Sequence, residues 1–207
     1  ETQPVLNGAI MEIGEWSKLA KQLRWSALLR YVDVPGSTER LTLNNAMRPQ
    51  VQLLFERYGK RSVNILQEYF LPLESFKPFV DDLRTIALDH HINLQNITLR
   101  YVAKNDEALL SYATSDRIAV VLYINVGLDE LALEEAESWT RALVERTTAH
   151  QGAYYLPYQR WPTQKQLREN YPAFDSFLQE KEAFDPTGMF DNQFYAHYRA
   201  DIGADEN

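Results

Sequence analysis

The chain has 207 residues, 45% of them hydrophobic and 12% aromatic, enough apolar material for a substantial buried core. Its formal net charge of -8 argues against a general nucleic-acid binder, which clusters Lys and Arg to displace phosphate counterions. A small-molecule or protein partner fits better. With no cysteine, disulfides, thiolate metal sites and cysteine nucleophiles are excluded, while the compartment stays open between cytoplasm and periplasm.

No stretch approaches the ~18 apolar residues that span a bilayer. The start, Glu1-Thr2-Gln3-Pro4, lacks the basic and apolar regions of a signal peptide and reads as a processed chain or an excised fragment. Ile10, Ile13, Trp16, Leu19, Leu23 and Leu28 recur at about helical spacing, which predicts an amphipathic helix over 9–31, followed by a Pro35-Gly36 turn. A second helix is predicted over 49–58, with Pro49 in its first turn and Gly59 as its stop.

The middle of the chain alternates strand and helix patterns. Asn64 to Leu71 predicts a strand ending at Pro72, and Phe76, Phe79, Val80, Leu83 and Ile86 predict a helix. Leu94 to Val102 predicts a second strand. After the polar Asn105-Asp106-Glu107 connection, the apolar run Ile118 to Ile124 predicts a buried strand. Leu131, Leu133, Ala136, Trp139, Ala142 and Leu143 then predict an amphipathic helix, and Gly152 to Tyr155 opens a fourth strand.

This order is the split β-α-β pattern, so the expected fold class is α+β, an antiparallel sheet of ferredoxin-like type with helices on one face. Two short helices are predicted beyond it, Gln164 to Asn170 and Ala173 to Phe184, the second stopped by Asp185-Pro186-Thr187-Gly188. The expected organisation is a helical segment over 1–60, a core over 61–162, and a helical carboxy-terminal segment with its tail over 163–207.

Several side chains are candidates for chemistry. On the second strand, Asn96, Thr98 and Arg100 share one face by alternation. Such a row suits a polar pocket in which Arg100 orients a substrate and stabilises developing negative charge, and it equally suits a solvated face. Glu68 lies between bulky neighbours on the first strand, where a carboxylate is costly to bury unless paired, and Arg100 is a candidate partner. Tyr154 to Pro162 holds four aromatics, two prolines and Arg160 in nine residues, a density that suits the wall of a ligand site or a rigid packing loop, with Tyr155, Tyr158 and Arg160 as candidate substrate contacts.

His90 and His150 fall at helix ends, and no histidine has a zinc-site spacing. The chain contains no P-loop, no Gly-x-Gly-x-x-Gly and no Gly-x-Ser-x-Gly.

Three blocks carry a family resemblance: Ile65 to Pro72, Asn96 to Val102, and Tyr171-Pro172 through the Phe184-Asp185-Pro186-Thr187-Gly188-Met189-Phe190 run to Asn192. From about Leu41 to Tyr198 the chain resembles the carboxy-terminal, substrate-side part of FAD-linked oxidases of the vanillyl-alcohol-oxidase type, in particular aldonolactone and alditol oxidases. The resemblance implies hydride transfer from a carbinol carbon of an alcohol, polyol or sugar lactone to FAD. It implies a cofactor held mainly by an amino-terminal FAD-binding domain that nothing in this chain matches, so that the chain alone would be inactive.

The chain departs from that family at two points. Where those oxidases carry Glu-x-Arg this chain has Thr98-Leu99-Arg100, so only the arginine carries over, with Glu68 a candidate for the missing carboxylate. Where they carry Pro-His-Trp-Gly-Lys this chain reads Tyr154 to Arg160, with Arg160 or Tyr158 in place of the lysine. Asn192 resembles a tail position close to the flavin. The competing expectation is a free-standing α+β ligand-binding or protein-interaction module without catalysis.

Overall fold

A computed structural model describes residues 17–32, 61–105 and 107–199. The helix predicted over 49–58 and the polar end after residue 199 lie outside them. The chain divides into two compact units, Glu1–Asn64 and Ile65–Asn207. In the first, helix α1 spans Lys18–Val32. Ser17 starts it, its hydroxyl accepting from the Ala20 N–H at 3.3 Å. Leu19 and Leu23, one turn apart, are exposed rather than buried.

The second unit holds the sheet. The elements run β1 (Ser62–Pro72), whose first three residues precede the unit boundary, then a 3-10 turn, α2 (Phe76–Asp89), β2 (Asn93–Val102), β3 (Arg117–Gly127), α3 (Glu130–Ala149) and β4 (Ala153–Tyr154). The strands form one antiparallel sheet in the order β2-β3-β1-β4. That is the predicted α+β, split β-α-β architecture. Residue by residue, β2 pairs with β3 from Asn96 opposite Tyr123 to Val102 opposite Arg117.

Alternation decides which side of the sheet becomes core. Val120, Leu122, Ile124 and Val126 of β3 and Tyr69 and Leu71 of β1 face Phe79 and Leu83 of α2 and Ala136, Trp139, Leu143 and Val144 of α3. Each large apolar side chain buried there contributes about 1.5–3 kcal/mol. A polar ladder crosses this core: the Tyr69 hydroxyl donates to Gln67 Oε1 at 2.6 Å, and Gln67 Nε2 donates to the Thr140 hydroxyl at 2.8 Å. Both helices lie on this one side, so the other face of the sheet carries no helix of the split β-α-β unit.

The two helices end in the same way. After α2, Ile92 N–H returns to Ala87 O at 2.9 Å; after α3, Gly152 N–H returns to Thr147 O at 2.8 Å. In each case a histidine, His90 or His150, is the C-cap. The next residue, His91 (φ 51°) or Gln151 (φ 56°), takes the left-handed conformation. Each cap then reaches the opposite helix, His90 to Glu135 at 2.7 Å and His150 to Asp82 at 2.9 Å.

β4 is shorter than expected. After Tyr154 only the Tyr155 N–H continues the ladder, to Glu68 O at 2.9 Å, and Pro157, having no N–H, cannot extend it. The chain turns off as an aromatic loop, then forms α4 (Gln164–Asn170), α5 (Phe174–Phe184) and α6 (Gln193–Tyr198). The loop is anchored at its far end, where Arg141 Nε donates to Trp161 O at 2.8 Å and the Trp139 and Trp161 rings meet edge to face.

Gly152 sits where this turn crosses β1. A Cβ there would stand 2.8 Å from Phe70 O and 2.7 Å from Leu71 Cδ1. Gly152→Ala is therefore expected to destabilise the fold by about 1–3 kcal/mol. Gln151→Gly, which removes the left-handed penalty next door, is expected to stabilise it by about 0.5–1 kcal/mol. Urea unfolding of both variants checks the pair, and a shared sign would contradict this account of the turn.

Candidate functional site

The face of the sheet turned away from α2 and α3, helix-free as far as the split β-α-β unit goes, is where several candidate residues meet. β1 sends Tyr69 and Leu71 into the core, so the same alternation turns Glu68 and Phe70 to the opposite face. On β2, Asn96, Thr98 and Arg100 stand opposite Tyr123, Val121 and Ala119. Those three partners alternate with the core-facing Leu122 and Val120, so Asn96, Thr98 and Arg100 also lie on the helix-free face. The predicted sharing of a face by these three is what the register gives.

The other side of β2 departs from a simple polar-out, apolar-in strand. Ile97, Leu99 and Tyr101, on the helix side, are 36%, 53% and 62% exposed. β2 is an edge strand, and the core under β1 and β3 does not extend beneath these residues.

Glu68 is 9% exposed, and its carboxyl is raised above the usual range by burial, with the positive charge of Arg100 pulling it part of the way back. Tyr158, in the loop, is raised by burial first, then by the negative fields of Glu68 and Tyr155, while Arg100 opposes. Glu68, Arg100, Tyr155 and Tyr158 therefore lie within one another's field. No direct hydrogen bond or ion pair joins Glu68 to Arg100 among the described residues. Their charges act through space, and the carboxylate oxygens and guanidinium donors stay available to a ligand.

Aromatic rings complete the surface. Phe70 stacks on Tyr112 at 4.1 Å, Tyr155 meets both rings edge-on, and Tyr158 lies 5.0 Å from Tyr155. The result is a wall of four rings beside a carboxyl and a guanidinium. It suits a ligand with one apolar or planar face and several hydroxyl or carbonyl groups, because rings take the face and charged groups the polar edge.

Other candidates take other places. Asn96 Nδ2 donates to the Thr98 hydroxyl at 3.4 Å. Arg160 is exposed and lines an open cleft of about 500 Å³ with Tyr158, Trp161, Gln193 and Phe194. Among the described residues no ring stacks with it, and the cation–π contacts there fall on Arg168 with Phe174 and on Lys181 and Arg199 with Tyr195. Asn192 caps α6, its Oδ1 accepting from the Tyr195 N–H at 2.9 Å, and its next two residues line the cleft. Tyr158 thus borders both the sheet face and the cleft that reaches the tail.

The Phe-Asp-Pro-x-Gly-x-Phe block has a physical explanation of its own. Asp185 accepts from Lys181 Nζ at 2.5 Å and from the Met189 and Phe190 N–H groups at 2.9 Å each. These donors hold its carboxyl down at about 2. Gly188 supplies the left-handed turn, φ 64°. Phe184, Met189 and Phe190 are left exposed on that loop.

Among the described residues no group of His, Asp and Glu could hold a metal ion, and no helix is long and apolar enough to cross a membrane. A model of the family described as D-arabinono-1,4-lactone oxidase matches residues 47–198, a span that contains the sheet, the aromatic wall and the tail. The chain belongs to the D-arabinono-1,4-lactone oxidase family. A comparison with curated proteins gives no match. Membership makes this an oxidase-family chain whose relatives are flavoproteins, and the predicted FAD-linked resemblance is thereby shown.

Phe70 and Tyr112 were not among the sequence candidates. Alternation from Glu68 points to Phe70, whereas Tyr112 sits in an irregular connection with no period to place it.

Glu68 also gives a pH test. Its folded-state pKa is raised, so the fold disfavours the ionised form; the penalty is absent below the unfolded-state value of about 4.3 and grows as pH rises through the folded one. Glu68→Gln is expected to raise the melting temperature at neutral pH, with the gain vanishing below about pH 4. Thermal melts across that range check it, and a destabilisation equal at all pH values would contradict it.

Proposed function

We propose that this chain forms the substrate side of an FAD-dependent oxidoreductase that oxidises a sugar lactone, polyol or related alcohol by hydride transfer to the flavin. Support comes from the family match and from one feature of the sheet: Glu68, Arg100, Tyr155 and Tyr158 gather on the helix-free face. Among the described residues the polar tips of these four side chains make no hydrogen bond, whereas the Tyr69, Gln67 and Thr140 groups across the sheet bond one another.

The residues of this face fit one side of a flavin site and not the whole of it. A guanidinium beside an aromatic wall suits the planar ring and the substrate between them. The chain's glycines form no Gly-x-Gly pair, so this chain has no glycine-rich cradle for a pyrophosphate. The pyrophosphate and adenosine would be held by an amino-terminal FAD-binding domain, leaving this chain inactive alone. When bound, FAD supplies the two-electron acceptor, and oxygen or another oxidant takes the electrons onward.

What remains for the chain is orientation and electrostatics. Arg100 holds the substrate's oxygen and stabilises negative charge that develops on it. The ionised carboxylate of Glu68, made more basic by burial, stands in for the glutamate that Thr98 replaces and takes the proton of the substrate hydroxyl as the hydride leaves its carbon. Tyr155 and Tyr158 position the substrate's apolar face, Asn96 and Thr98 take its outer hydroxyls, Arg160 extends the contact into the cleft, and Asn192 places the tail against the flavin.

Arg100→Ala in the flavin-loaded enzyme is expected to lower kcat/KM by about 10²–10³-fold with the melting temperature unchanged, and Arg100→Lys to restore only part of it. Near-normal kcat/KM for Arg100→Ala would remove the assigned role. The competing reading, a free-standing module without catalysis, predicts no flavin absorption even from protein expressed from the complete native gene, whereas the oxidase reading predicts a flavin spectrum there.

A further inference from the structure

Between the core and the aromatic loop lies a small cavity of about 20 Å³ whose walls include Gln67, Glu68, Thr140, Tyr154, Tyr158 and Gln159. Tyr154 is 6% exposed. Its hydroxyl and the side-chain carbonyl of Gln159 are both buried, and neither has a hydrogen-bond partner among the described residues.

Tyr154 has little freedom to find one. Its N–H donates to Asn170 Oδ1 at 3.1 Å, its carbonyl accepts from the Tyr171 hydroxyl, its backbone pairs with Tyr69, and its ring meets the Tyr171 ring edge-on at 5.8 Å. A buried hydroxyl fixed in this way loses its hydration without compensation unless a third group completes the bond. A cavity of roughly 10–15 Å³ or more holds a single water provided that two to four polar groups face it; this one has the volume, and the two residues that carry the unpartnered atoms both line it.

We propose that the cavity is a built site for one internal water, which accepts from the Tyr154 hydroxyl and donates to Gln159 Oε1. Tyr154 and Gln159 are then positioning residues. Gln159 lies between Tyr158 and Arg160, so the water ties the middle of the aromatic loop to the sheet, complementing the Arg141–Trp161 bond at the loop's end. The remaining hydrogen of the water meets the polar wall of Gln67, Glu68 and Thr140. The site rests on the cavity and its two polar atoms alone and does not depend on the oxidase reading.

The test is a crystal structure of the full chain at a resolution that shows ordered solvent, with amide hydrogen exchange on the native protein and on Tyr154→Phe. The expected result is a density peak within hydrogen-bond distance of both Tyr154 Oη and Gln159 Oε1. In Tyr154→Phe the peak disappears, and amides of residues 158–160 exchange roughly tenfold faster while those of α3 keep their rates. Gln159→Leu, on the loop side, gives the same local acceleration without touching the sheet and serves if Tyr154→Phe does not fold. An empty cavity beside other well-resolved internal waters, a direct Tyr154–Gln159 bond, or unchanged loop exchange in the variants would each overturn the proposal.

Discussion

The structure depends on an asymmetry of burial across a four-stranded sheet. Both crossover helices of the split β-α-β unit lie on one side, where Leu122, Ile124, Leu71 and Leu143 make a dry core. Neither of these helices covers the other side, where β1 places Glu68 and Phe70, nearly buried in the middle of the sheet. Dehydrating a carboxylate at that point is unfavourable, and the field of Arg100 on the edge strand only partly offsets it. A group held away from its ordinary ionisation beside an opposite charge and a wall of rings is what makes this face the candidate chemical surface.

The remaining structure keeps that surface in register. Pairing of β2 with β3 fixes Arg100 relative to Asn96 and Thr98. The close passage of Gly152 over Phe70 O brings β4 against β1, so that Tyr155 follows directly onto the helix-free face and Tyr158 comes within the field of Glu68. Arg141 and Gln166 then clamp the loop and α4 to α3. The tail is fixed separately, by the Asp185 turn and by a Phe174, Phe194 and Tyr198 cluster. Each device is local, and together they give the loop, the sheet and the tail one relative arrangement.

Much of this was legible in the sequence because it follows from periodicity. The runs Ile118 to Ile124 and Leu131 to Leu143 announce a buried strand and its covering helix, and alternation on β2 assigns Asn96, Thr98 and Arg100 to one face. Proximity of Glu68 and Arg100 was also readable as a candidate pairing, because a carboxylate among bulky strand residues calls for a nearby cation. Three things were not legible. The exposure of Ile97, Leu99 and Tyr101 depends on β2 lying at the sheet edge, which strand order and not strand pattern decides. Helix α6 has six residues, too few to show a helical period, so the N-cap role of Asn192 could not be read from the sequence. Tyr112 reaches Phe70 from an irregular connection, where no periodic rule applies.

The central claim is that the helix-free face of this sheet closes over a flavin. The most direct measurement is a crystal structure of the flavin-loaded protein with a bound sugar lactone or polyol. The account predicts the ligand between the flavin ring and the surface of Glu68, Arg100, Tyr155 and Tyr158, with the Arg100 guanidinium within hydrogen-bond distance of the ligand or the ring. A flavin bound elsewhere, with Arg100 and Glu68 facing bulk solvent, would contradict it.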